Sequence, residues 1–294
     1  MSKEKLQDDY KSPVSNEEMV ELAKQQYEQK KVSDYKFPTE IVDLPSKGLI
    51  YPKDNPLSTG KIEMKYMTAK EEDILTTQSY IKDGSVLDRL FQSLIISNGE
   101  GTPIKYVDLT LGDKNAIMIA ARILGYGKDY EVEIEDPTTP GVKQKETIDL
   151  TQFEPGDYDG SGQVELHKNE YEFELPQSKR KVTFQALTES KERKIKHQLE
   201  ESKRASRKMK DRTDKQLTIR LKNTILSVDD ESDQKTINHF VDNELFAADS
   251  RALRMHINKV VPDMDLTYEF YSEETGERRE MLLPMDLGFF WPQS

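Results

Sequence analysis

Polar and apolar residues alternate through Lys61-Ile62-Glu63-Met64-Lys65-Tyr66-Met67, the pattern of a strand buried on one face. Thr68 follows, and Glu71 stands where its carboxylate can cap the first turn of a helix in exchange with Thr68. The helix expected over residues 68–81 buries only an edge, through Ile74, Leu75 and Ile81. Val86, Leu87, Leu90, Phe91, Leu94 and Ile95 then recur at helical spacing and supply a wider core face, which Asn98-Gly99-Glu100-Gly101-Thr102-Pro103 brings to a stop. Thr110 and Asp113 open a third helix, which runs through Ile117, Ile119, Ala120, Ile123 and Leu124 to Gly125 or Gly127. A hairpin over residues 130–150 turns at Asp136-Pro137 and Pro140-Gly141, and its prolines resist pairing with another strand at that tip.

Ahead of the first strand lies Leu44-Pro45-Ser46-Lys47-Gly48-Leu49-Ile50-Tyr51-Pro52. Pro45 and Pro52 restrict the backbone and Gly48 can turn left-handed, so the run should form a rigid, irregular lead-in; Tyr51 closes it. The order of turn, strand, cap and helix returns later. Leu175-Pro176 precedes Val182-Thr183-Phe184-Gln185-Ala186-Leu187, and Thr188 stands where Thr68 stood. Further on, Asp113-Lys114-Asn115-Ala116-Ile117 with the strand from Asp129 matches Asp249-Ser250-Arg251-Ala252-Leu253 with the strand from Asp265. Turns at Gly141 and Gly276 then send each half back through a second strand. The expected fold is α+β, as two similar tandem units from an internal duplication. Residues 1–36 form an arm, 37–152 the first unit, 153–169 an acidic glycine-rich linker and 170–294 the second unit.

Three stretches depart from this plan. In the arm, Ser15 and Glu18 suit a capping box, after which Met19, Leu22, Ala23, Gln26 and Tyr27 share one narrow face. The arm is either a solvated, partly disordered tail or a helix that orders against a partner. Residues 190–226 read as one long basic helix, with apolar anchors such as Ile195, Leu199, Leu221 and Ile225 only near its ends. Such a helix can offset acidic neighbours, dock on an acidic protein or contact nucleic acid, although no aromatics are interleaved for stacking. The chain finishes with Phe289-Phe290-Trp291-Pro292, aromatics that either fold back onto a core or anchor a partner.

With 33% of residues charged and 35% apolar, much of the surface must be solvated or given to partners. A net charge of −12 argues against a general nucleic-acid binder, while leaving room for a local basic face. Cysteine is absent, which excludes disulfides and cysteine-ligated zinc or iron–sulfur sites. No signal peptide and no apolar run of membrane-spanning length is read, so the expectation is a soluble protein made in a cytoplasm.

Catalytic patterns are missing from the sequence. His167, His197, His239 and His256 lack metal-ligand spacing, and there is no nucleophile elbow, P-loop or HExxH. Gly125-Tyr126-Gly127 ends a helix where a phosphate cradle would begin one. Asp157, Asp159 and Ser161 alternate as in a calcium loop, but no bidentate acid follows at the required distance. The expectation is a non-enzyme without cofactor or metal.

Leu44-Pro45-Ser46-Lys47-Gly48-Leu49-Ile50-Tyr51-Pro52, Met67-Thr68-Ala69-Lys70-Glu71, Leu109-Thr110-Leu111-Gly112-Asp113, Gly125-Tyr126-Gly127 and Phe289-Phe290-Trp291-Pro292 occur in that order. In this the chain resembles the baseplate hub proteins of T-even-like contractile-tailed bacteriophages, from about residue 37 to the end. The resemblance implies a structural or assembly protein of the virion tail baseplate, built in the host cytoplasm beside hub, tape-measure, tube or spike subunits. Two alternatives stay open: a transient tail-assembly chaperone that binds the tape-measure protein, and a nucleic-acid-binding or scaffold protein working through the basic helix. The resemblance also implies small zinc knuckles in those relatives that carry cysteine pairs on the hairpins near Pro137 and Glu274. Without cysteine here, the prolines and glycine of those turns are expected to stabilise the tips.

Overall fold

Ile62 and Met64 alternate with Glu63 because their strand lies at the centre of a sheet with one face on the core. In the computed structural model, which describes residues 38–209, 215–285 and 287–290, β1 (Thr39–Asp43), β2 (Lys61–Lys65) and β3 (Ile95–Ser97) form an antiparallel sheet in the order β1-β2-β3. Both Ile62 and Met64 are completely buried. Three helices connect β2 to β3: α1 (Ala69–Thr76), α2 (Gln78–Asp83) and α3 (Val86–Leu94). The helix expected over residues 68–81 is thus broken at Thr77, whose backbone is extended at φ −69° and ψ 108°. Thr76 and Thr77 both turn their hydroxyls back onto carbonyls of the preceding turn, that of Thr77 onto Asp73 at 2.6 Å, a competition that weakens a helix at its end.

After β3 the chain enters α4 (Leu111–Tyr126), then the hairpin of β4 (Asp129–Glu135) and β5 (Lys143–Asp149). The second half repeats the order. β6 (Tyr171–Glu174), β7 (Lys181–Phe184) and β8 (Ile225–Val228) form another antiparallel sheet with the central strand in the same place. Register shifts between Glu63 and Met64 in the first sheet and between Thr183 and Phe184 in the second. Helices α5 (Glu189–Met209) and α6 (Gln216–Thr224) join β7 to β8; α7 (Gln234–His239), a π turn and α8 (Ala247–Val260) lead to the hairpin of β9 (Thr267–Tyr271) and β10 (Arg278–Leu282). The fold is α+β, made from small antiparallel sheets and eight α-helices among the described residues.

The segment read as one basic helix over residues 190–226 is two helices and the start of a strand. Arg220 reaches back to Glu192 at 2.7 Å, and Asn223 to Gln198 at 2.8 Å. A continuous helix would separate Arg220 from Glu192 by about 40 Å at 1.5 Å per residue, so the chain must reverse. The reversal lets Leu221, Ile225 and Val228 bury themselves beside Val182 and Phe184, which outweighs any intrinsic preference for one long helix.

Residues Thr39–Ser294 are one compact unit, and the halves read as tandem units share its core. Gly112, in the first turn of α4, comes so close to the segment after α8 that an added Cβ would lie 2.1 Å from the carbonyl oxygen of Pro262. The starts of α4 and α5 cross: Leu111 donates its N–H to Leu187 O at 3.0 Å, and Glu189 donates to Leu109 O at 2.8 Å. Around this crossing Lys114 pairs with Glu189 at 2.7 Å and Arg193 with Asp88 at 3.0 Å, joining the halves by charge as well as by packing. The acidic linker is itself partly interior, with Phe153 in the core and Pro155 bridged to Met264.

Candidate interaction surfaces

Three of the candidate structural residues, Pro45, Gly48 and Tyr51, lie in one loop that closes on Asp113. Pro45 is buried, and the position of Gly48 demands glycine twice over: its φ is 77°, and an added Cβ would lie 2.3 Å from the carbonyl oxygen of Ser58. Asp113, wholly buried in the first turn of α4, accepts from the N–H and hydroxyl of Ser46 at 2.9 and 2.8 Å and from the Tyr51 hydroxyl at 2.5 Å. The Thr110 N–H in turn donates to the Tyr51 oxygen at 3.0 Å. Burial pushes the Asp113 carboxyl above the usual range, against the opposing pull of its donors, and raises the Tyr51 hydroxyl well above its ordinary value. From outside, the N–H of His167 donates to Leu49 O at 2.7 Å. The second half has a counterpart: Asp249, in the first turn of α8, accepts the N–H groups of Gln177 and Ser178 at 2.8 and 3.0 Å. There too burial opposes the charge, but the two amides prevail and hold the carboxyl below its ordinary range.

Thr68 makes the expected capping box with Glu71, and Thr188 accepts from the N–H of Lys191 at 3.4 Å at the start of α5. Phe289 and Phe290, candidates for partner contact, are completely buried. Their rings meet each other at 5.3 Å, and Phe289 packs edge-on against Tyr130 at 4.9 Å while Phe290 meets Phe91 at 6.0 Å. These two phenylalanines therefore serve the core and not an exposed anchor, because the short helical turn Leu287–Phe290 folds them back between the first hairpin and α3. Met19, Leu22, Tyr27 and Trp291 lie outside the described residues.

Polar side chains join the two hairpin tips. The Ser272 hydroxyl donates to Asp136 at 2.5 Å, Thr138 lies 3.1 Å from Ser272 and 3.0 Å from Thr275, and Gln144 bonds the backbone of both Tyr271 and Glu273. Turn prolines and glycine alone do not hold these tips, contrary to the expectation from sequence. Burial works against the Asp136 charge, yet the hydroxyls of Ser272 and Thr138 outweigh it and lower its pKa.

Arg193 on α5 and Arg220 and Lys222 on α6 are paired with acids of the fold. Arg193 and Lys114 meet Asp88 and Glu189, Arg220 meets Glu192, and Lys222 meets Asp242 at 2.6 Å. Lys194, Lys196 and Lys203 are left on the exposed side of α5, interspersed with Glu200 and Glu201. The four histidines remain apart: His256 stacks on Phe173 at 4.3 Å, and His167 approaches the Tyr51 carbonyl. Asp157 pairs with Lys47 at 2.7 Å while Asp159 accepts from the Ser161 N–H, so the two acids of the calcium-like run face different partners. Among the described residues no group of three or more histidines or acids is placed to hold a metal ion, and no helix is long and apolar enough to cross a membrane.

What sequence reading missed is the groove beside the first hairpin. It measures about 370 Å³ and is lined by consecutive residues of β4 on one side and by Tyr268, Met281, Leu282 and Pro284 on the other. Leu282 is 73% exposed there, far more than an apolar residue ending a hairpin strand needs to be. Strict alternation in Glu131, Val132, Glu133, Ile134 and Glu135 was the available signal, but alternation does not tell an open strand edge from a covered one. Compared with models of protein families, with characterised proteins and with solved structures, the chain shows no significant match.

Proposed function

We propose that this chain is a non-enzymatic structural or assembly component of the baseplate hub of a contractile phage tail, acting through protein–protein contacts. The observation that carries the reading is the ordered series of motifs from Leu44-Pro45-Ser46-Lys47-Gly48 to Phe289-Phe290. Its internal members coincide with joints of the fold. The loop of Pro45, Gly48 and Tyr51 closes on Asp113 through Ser46 and Tyr51, Thr68 caps α1, and Gly127 ends α4 with a positive φ of 86°. Joints of this kind hold a scaffold in shape, which suits a component that acts through its surfaces. The recurrence of one element order in both halves supports an internal duplication, which would give one chain two similar docking surfaces inside a single body.

The test is mass spectrometry of purified tails together with light scattering of the chain mixed with hub and tape-measure proteins. A hub subunit is present in stoichiometric amount in the tails and forms a defined complex. Absence from mature tails with retained binding to the tape-measure protein replaces this reading by that of a chaperone. Failure to bind any tail protein, with affinity for duplex or single strands that falls steeply with salt, replaces it by nucleic-acid binding.

A further inference from the structure

Among the described residues, the first hairpin has an open strand edge with a defined chemistry. Asp136 donates its N–H to Val142 O at 2.8 Å, and Leu150 donates to Lys128 O at 2.9 Å. These two bonds bracket a ladder whose partners run without a bulge from Asp129 and Asp149 to Glu135 and Lys143. Antiparallel alternation then turns the N–H and C=O groups of Tyr130, Val132 and Ile134 toward β5, and those of Glu131, Glu133 and Glu135 away from it. Among the described residues no backbone partner meets those three outward positions. The β5 side differs, since Gln144 is engaged with Tyr271 and Glu273. Pro137 and Pro140 guard only the tip, because neither lies within β4.

We propose that the outer edge of β4 accepts an extended segment of a partner protein in which Lys or Arg alternates with apolar residues. β5 already shows what chemistry suits this strand: Lys143 and Lys145 stand opposite Glu135 and Glu133 in the register. A guest strand on the other side would place its cations beside the same row of glutamates. Only Glu133 of that row has a cation within ion-pairing distance among the described residues, Lys143 at 3.6 Å. The alternate side chains of the guest would point into the groove, against Tyr268, Met281, Leu282 and Pro284. A second copy of this chain is the wrong occupant, because pairing β4 with β4 would set glutamates directly opposite glutamates.

The probe is a synthetic peptide of alternating Lys and Val added to the full chain, with amide hydrogen exchange and peptide fluorescence anisotropy as readouts. Binding is expected to slow exchange at Glu131, Glu133 and Glu135. Methylating the peptide nitrogens that face β4 should abolish the effect, and a Glu–Val peptide should fail to bind. The exposed triple variant E131K/E133K/E135K is expected to weaken the Lys–Val peptide by about tenfold or more and to accept the Glu–Val peptide instead. Leu282→Ser should weaken binding while leaving the far-ultraviolet spectrum unchanged. No binding at millimolar peptide, binding insensitive to methylation, dimerisation through β4, or slow exchange of these amides before any peptide is added would each overturn the proposal.

Discussion

Replacing Glu71 by Gln keeps the shape of the side chain and removes its charge at a place where four donors converge. One carboxylate oxygen accepts from Lys65 Nζ at 2.8 Å and Ser93 Oγ at 2.7 Å; the other accepts from the Thr68 N–H at 3.0 Å and Thr68 Oγ1 at 2.6 Å. Burial alone would raise the carboxyl pKa, but the bonds from Lys65, Thr68 and Ser93 outweigh it and bring the group from 4.5 down to about 2. At about 1.4 kcal/mol per pH unit this gap corresponds to roughly 3 kcal/mol of folding free energy. Lys65, whose side chain is 17% exposed, lets solvent screen part of that, which leaves about 2 kcal/mol. Because the folded pKa lies below the unfolded one, the contribution is complete above pH 4.5 and is lost as pH falls toward 2. Urea unfolding of the parent and E71Q across this range is the assay. E71Q should be less stable by about 2 kcal/mol at neutral pH, and the difference should close on acidification. A difference that persists unchanged to low pH would refute the electrostatic account and reduce Glu71 to a packing residue.

Phe290→Ala should cost about 3–5 kcal/mol in thermal or urea unfolding, as expected for a filled core site; an unchanged midpoint with impaired assembly would return Phe290 to the role of partner anchor. Gly112→Ala should destabilise by roughly 1–3 kcal/mol despite the better helix propensity of alanine, since its Cβ meets backbone at Pro262. Gly125→Ala, whose added Cβ would have side-chain atoms of Met67 as its nearest neighbours at 3.0–3.3 Å and no backbone among them, should cost less than Gly112→Ala by the same melting assay. Equal effects of the two substitutions would contradict the packing of α4 against the segment after α8.

The capping box at Thr68 and Glu71, the strand around Ile62 and Met64, the helix at Val86–Leu94 and the two closing hairpins were legible because local geometry and burial demand the same residues there. β3 and β8 were not. Ile95-Ile96 and Ile225-Leu226 continue the apolar content of the helices before them, and only pairing with a distant strand makes them extended. The return of α6 along α5 escaped for a related reason: lysine, arginine and glutamine favour helix throughout, and the burial of Leu221 against a sheet built elsewhere decides that α6 folds back.

The sequence by itself determined the α+β class, the central strands, the helix at Val86–Leu94, the closing hairpins and the irregular loop at Pro45, Gly48 and Tyr51, since each follows from backbone preference and short-range periodicity. Tertiary structure alone decided which groups share space. Asp113 was readable as a residue at the start of a helix, but its burial under Ser46 and Tyr51 depends on contacts more than sixty residues away. The bonding of Asp136 to Ser272, the inward turn of Phe289 and Phe290, and the edge of β4 that no described strand covers have the same origin. Local periodicity specifies which face of an element is apolar, and only the closed chain specifies what that face, or that edge, finally meets.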